Sequence, residues 1–73
     1  MKRIRQKDLL PMLNARGLKM YWHQYFHRWS IIPTNHWNDP YTFTINNERF
    51  SNSFNSLRSL YNFLISHSGK IQF

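Results

Sequence analysis

The side chains in this chain that could do chemistry are four His, ten Lys and Arg, and three acids. Their spacing narrows what that chemistry is. His23 and His27 stand four positions apart, one turn of a helix, a spacing that can share a metal ion, with His36 as the third candidate ligand. No Cys accompanies them and no Asp or Glu falls in the same segment, so phosphate or water is the better partner for these imidazoles. Asp8, Asp39 and Glu48 are too scattered for a carboxylate pair to do acid–base hydrolysis. Two Gly are too few for a phosphate-cradling loop. The serines from Ser51 to Ser59 fit turns and caps. The expectation is a protein that is not an enzyme and uses no metal or cofactor.

The cations carry the chemical signal. Ten Lys and Arg against three acids give a net charge of +7. Such an imbalance repels itself and calls for a polyanionic partner, with duplex DNA first and an anionic membrane second. No apolar run approaches the ~20 residues needed to span a bilayer. The basic start, MKRIRQKDLL, lacks the apolar stretch of a secretory signal, so the cytoplasm is the expected location. Sparse Glu with frequent Asn and Ser has a phage or mobile-element flavour.

At 73 residues the chain has room for one domain and one core. Without Cys to staple it, that core must come from packing, for which six Phe, four Tyr and three Trp supply large rings. Met1–Lys7, with Lys2, Arg3, Arg5 and Lys7, reads as a flexible basic arm. A first helix is expected from Asp8 to Arg16, with Asp8 as cap or first-turn acid, Pro11 tolerated near its start, and Leu9, Met12 and Leu13 on one face. Gly17 supplies a left-handed stop. Leu18, Trp22, Tyr25, Trp29 and Ile32 then recur at steps of three or four, which favours a second helix from Lys19 to Ser30. On it Trp22 and Trp29 would join the core, His23 would face outward, and Arg28 would be exposed and replaceable at little cost in stability. The adjacent apolar pairs Tyr21-Trp22 and Tyr25-Phe26 spoil the alternation of a strand, which is the other reading. After a loop from Pro33 to Pro40, Tyr41, Phe43 and Ile45 alternate with Thr42 and Thr44 as a strand. Asn46-Asn47 tolerates a tight turn, and Arg49 to Phe54 returns. Asn55 or Ser56 caps a last helix bearing Leu57, Leu60, Tyr61 and Leu64, which Gly69 stops. The expected fold is α+β, a small winged helix-turn-helix in the order helix, helix, β-hairpin, helix.

The stretch Gly17 to Pro33, GLKMYWHQYFHRWSIIP, resembles the helix-turn-helix of the mercury-resistance regulator (MerR) superfamily and related excisionases. The likeness rests on Gly17, on the aromatic pair Tyr25-Phe26 after seven intervening residues, on Arg28, and on the exit Ser30-Ile31-Ile32-Pro33. Leu9, Met12 and Leu13 match the inner face of the preceding helix. The chain departs from that pattern at Gln24, where members carry Arg, and at His23, where they carry an inward aliphatic residue. The resemblance implies an excisionase-like architectural factor or small transcription regulator. In it Tyr25 contacts phosphate, and Lys19, Gln24 and Arg28 are the exposed contacts of the second helix.

The nucleic-acid contacts expected from charge, pattern and resemblance together are Lys2, Arg3, Arg5, Lys7, Lys19, Gln24, Tyr25, Arg28 and Arg49. The arm would neutralise phosphate, the second helix would reach base edges, and the hairpin would meet the backbone. Two other readings stay open. One is a small phage-type inhibitor or interaction module whose partner is a host or phage protein, anchored by Trp37, Tyr41 and Phe73. The other packs the hairpin and last helix, Tyr41 to Leu64, into a three-stranded sheet on one helix, as in the arm-binding domains of phage integrases. That arrangement requires Met20 to Ile31 to be a strand.

Overall fold

A computed structural model describes residues 3–73. Its elements run α1 (Gln6–Asn14), β1 (Leu18–His23), β2 (Arg28–Pro33), β3 (Thr42–Ile45), β4 (Glu48–Ser51) and α2 (Leu57–Ser66). The chain is therefore α+β with two helices and two antiparallel hairpins. It is not a winged helix-turn-helix, because the second helix expected from Lys19 to Ser30 does not form.

The physical reason lies in what β2 buries. The register pairs Leu18 with Pro33, Met20 with Ile31 and Trp22 with Trp29 on one face of the hairpin, and Lys19 with Ile32, Tyr21 with Ser30 and His23 with Arg28 on the other. Ser30, Ile31 and Ile32 are all buried, so both faces of β2 are covered and the sequence loses the alternation that marks a strand. Aromatic and β-branched residues then favour the pleated form. The hairpin turns through Gln24–His27, where the His27 N–H donates to the His23 carbonyl at 2.8 Å. His27 takes a left-handed φ of 51°, which His tolerates better than a β-branched residue.

α1 starts two residues before the expected Asp8 and ends at Asn14 rather than Arg16. Arg5 is its N-cap, and the Arg5 N–H donates to the Asp8 carboxylate at 2.9 Å. Lys7 thus belongs to the helix rather than to an arm, and Ile4 packs against the core. Pro11 consequently sits in the second turn, where its missing N–H costs the helix one bond. Gly17, at φ 71°, reverses the chain into β1.

In the second hairpin Asn46 and Asn47 both take positive φ, the signature of a two-residue I′ turn. The Ser56 hydroxyl caps α2 by accepting from the Ser59 N–H at 3.1 Å. The helix ends at Ser66, so Gly69 is not its stop; a Cβ there would fall 2.6 Å from the Ile45 side chain, and Gly69 is a packing glycine. One core joins the parts: Leu9 and Leu13 of α1, Leu18 and Ile31 of the first hairpin, Phe43 and Ile45 of the second, Phe54, and Leu60 and Leu64 of α2.

The two hairpins are separate two-stranded sheets, not the three-stranded sheet of the integrase-like reading. They are joined through residues 52–54. Trp29 exchanges both backbone bonds with Phe54, at 2.8 and 2.9 Å. The Asn52 amide accepts from the Ile31 N–H at 2.9 Å and donates to the Ile31 carbonyl at 2.7 Å. Its side chain thus stands in for a paired residue on the edge of β2 that faces away from β1. On the other hairpin Thr44 makes the same exchange with Gln72.

Candidate nucleic-acid interface

Lys19, Tyr21, His23, Arg28, Ser30 and Ile32 share one face of the first hairpin because side chains two apart in a strand point the same way. The middle of that face is tied to the loop after β2. Asp39, with its side chain 2% exposed, accepts there from His23, Arg28 and Ser30 on one oxygen, and from the Tyr41 N–H and the Asn52 amide on the other. The shortest of these is the His23 Nε2 contact at 2.7 Å. A carboxylate only accepts, so Nε2 carries the proton. Burial pushes the Asp39 carboxyl up, but the Tyr41 N–H, the Ser30 hydroxyl, the His23 ring and the Arg28 charge together outweigh it and hold the carboxyl below its ordinary value. Arg28 donates further to the Ser30 hydroxyl and to the Asn52 carbonyl. Among the described residues no buried side-chain polar atom lacks a partner.

This network fixes what lies around it. Tyr41, held at a left-handed φ of 66°, is turned outward and exposed. The loop also carries Trp37, 85% exposed, whose ring lies 5.2 Å from the Lys19 ammonium. At the hairpin's far end Tyr25 is 88% exposed and touches Phe26 edge to face, with centroids 5.2 Å apart. Phe26 in turn meets the His23 ring and the Arg28 guanidinium, while Tyr21 packs edge-on against His23 at 4.6 Å. On the opposite face Trp22 lies against Trp29, centroids 5.0 Å apart, and is 40% exposed rather than part of the core.

Of the expected contacts, Lys19, Gln24, Tyr25 and Arg28 share this hairpin. Gln24 and Tyr25 are at its tip, Lys19 is partly covered by Trp37, and Arg28 is bound into the network with its side chain 15% exposed. Arg28 is thus not the exposed helical contact expected of it, and His23, which periodicity turns outward and the resemblance inward, points into the network. Arg3, Arg5 and Lys7 are exposed around an open recess of about 320 Å³ beside Asp8. Arg49 is exposed on β4. Lys2 lies outside the described residues.

Sequence reasoning missed two kinds of residue. Arg16 and Lys70 line a second recess of about 360 Å³ between the end of α1 and the C-terminal segment, a proximity that only the fold creates. Asp39, Ser30 and Asn52 form the buried network; the available signal was that Asp39 is the sole acid in the long stretch between Asp8 and Glu48. Among the described residues no three His, Asp or Glu side chains gather as a metal-ligand set, and no helix is long and apolar enough to cross a membrane. No family model, curated protein or solved structure matches the chain.

Proposed function

We propose that this protein binds nucleic acid, its exposed cations meeting phosphates while the first hairpin faces the partner. The observation that carries this reading is how the charge is distributed. Asp39 is buried against Arg28, so that pair cancels inside the molecule and the net +7 falls to the surface. Arg3, Arg5, Lys7, Arg16, Arg49 and Lys70 are exposed there, opposed by Asp8 and Glu48 alone. A polyanion relieves this repulsion and releases its own counterions on binding. Without a recognition helix, the first hairpin takes the reading role.

The exposed Trp37, Tyr25 and Phe26 could equally anchor a protein interface, where aromatic residues dominate the energetics. The Lys19 ammonium on the Trp37 ring and a segment without acids from Leu9 to Asn38 favour the nucleic acid. Titration of duplex DNA at a series of salt concentrations tests the proposal. With four to six phosphates neutralised, log K is expected to fall against log salt with a slope of roughly −4 to −5. A flat response, or no binding at low salt to either duplex or single-stranded nucleic acid, rejects it and leaves the protein partner.

A further inference from the structure

Resting on the nucleic-acid reading, we infer that the outer face of the first hairpin is a stacking platform for unpaired bases, so that the preferred ligand is single-stranded. Trp37, Lys19, Tyr21, His23, Phe26 and Tyr25 form an unbroken series along that face, from the loop at one end to the turn at the other. All links but that between Lys19 and Tyr21 are contacts already described: Lys19 on the Trp37 ring, Tyr21 and Phe26 on His23, and Tyr25 on Phe26. Lys19 and Tyr21 are neighbours by strand alternation.

The two ends of the series have open ring faces. Lys19 occupies one side of Trp37, and at 85% exposure the other side is free; Tyr25, at 88%, has one edge-to-face neighbour. The rings between them contact one another edge-on and are less exposed, which makes them a stiff support for the ends. Exposed aromatic rings beside a Lys match a ligand that alternates planar bases with phosphates. An apolar protein segment would instead leave the Lys19 ammonium to be desolvated without a counter-charge. A duplex hides its base faces in its own stack and offers these rings only edges and backbone.

Competition between a short oligothymidylate, an oligouridylate and a blunt duplex, all at one low salt concentration, tests this. Tyr25→Ala and Trp37→Ala are each expected to weaken single-strand binding roughly five- to hundredfold, the range for losing one stacked base. Tyr25→Phe and Trp37→Phe should retain most of the affinity, and duplex binding should change little. Quenching of tryptophan fluorescence by the oligonucleotide should shrink in Trp37→Phe. Both rings are exposed, so the variants should melt like the wild type. An oligodeoxyuridylate compared with the oligouridylate assigns the sugar. Equal losses on duplex and single strand, or no loss from either alanine variant, overturn the platform while leaving phosphate binding intact. Failure of the unmodified protein to bind any of the three overturns both readings.

Discussion

Arg28 and Asp39 hold the network on the outer face of the hairpin, and their chemistry sets how acid acts on the fold. The Asp39 carboxyl is held below its ordinary value in the folded state, whereas the unfolded chain takes up its proton near the reference of about 3.9. The unfolded state therefore binds more protons in the window below about pH 4. The stability that Asp39 contributes is complete above that window and is lost as pH falls through the folded value. Arg28→Ala leaves this carboxylate buried beside His23 without its guanidinium, and is expected to cost about 3–5 kcal/mol near neutral pH. The gap between wild type and variant should narrow in acid, as the carboxyl takes a proton. Denaturant melts at a neutral and an acidic pH check this; a small loss at neutral pH would mean Arg28 is as replaceable as the helical reading held. The sequence hid this because nothing local marks Arg28 as buried. Its partners are far along the chain, at Asp39 and Asn52, and only the register of β1 with β2 brings them together.

The elements that could be read from the sequence are those with local causes. The Asn46-Asn47 turn, the Ser56 cap and the left-handed Gly17 each follow from the conformations one or two residues permit. Ser56→Ala is expected to cost about 1 kcal/mol of stability through the lost bond to the Ser59 N–H. Thermal melting checks it, and an unchanged midpoint would show that solvent satisfies the helix end equally well. The first hairpin has no such local mark. Its turn contains neither Gly nor an Asn-Gly pair, and β2 is buried on both faces. The apolar steps from Leu18 to Ile32 therefore imitate a helix while coming from two strands. Of the candidate interface, Lys19, Gln24 and Tyr25 stand out in the sequence, but the apolar pattern gives them a helical geometry, whereas the structure places them on a hairpin. Trp37 carries no local signal of its position, because its place beside Lys19 depends on how the loop folds over the hairpin.

For the molecule as a whole, the division into two small sheets has a cost that the join at residues 52–54 removes. A two-stranded ribbon is at best marginally stable alone, and each hairpin here leans on the shared core and on a neighbouring segment that completes its ladder. On β2 part of that completion is a single side-chain amide, that of Asn52. We expect the amide to guard against self-association, because a strand with free N–H and C=O groups is a template for another chain. Asn52→Leu keeps the branched shape, with larger methyl groups in place of the amide, and leaves the buried Ile31 N–H and C=O without partners while Phe54 still pairs with Trp29. The expected outcome is concentration-dependent association below the melting temperature, read by light scattering, with Ser56→Ala as the control that loses stability but keeps the edge closed. A variant that melts earlier yet stays monomeric would locate the protection elsewhere. Otherwise, the Asn52 amide is part of what keeps the β2 edge closed, and the net charge supplies a second barrier by keeping copies apart. With the proposed polyanion as partner, solubility is expected to be poorest at charge balance, so that binding and precipitation share one control variable, the ratio of phosphate to protein.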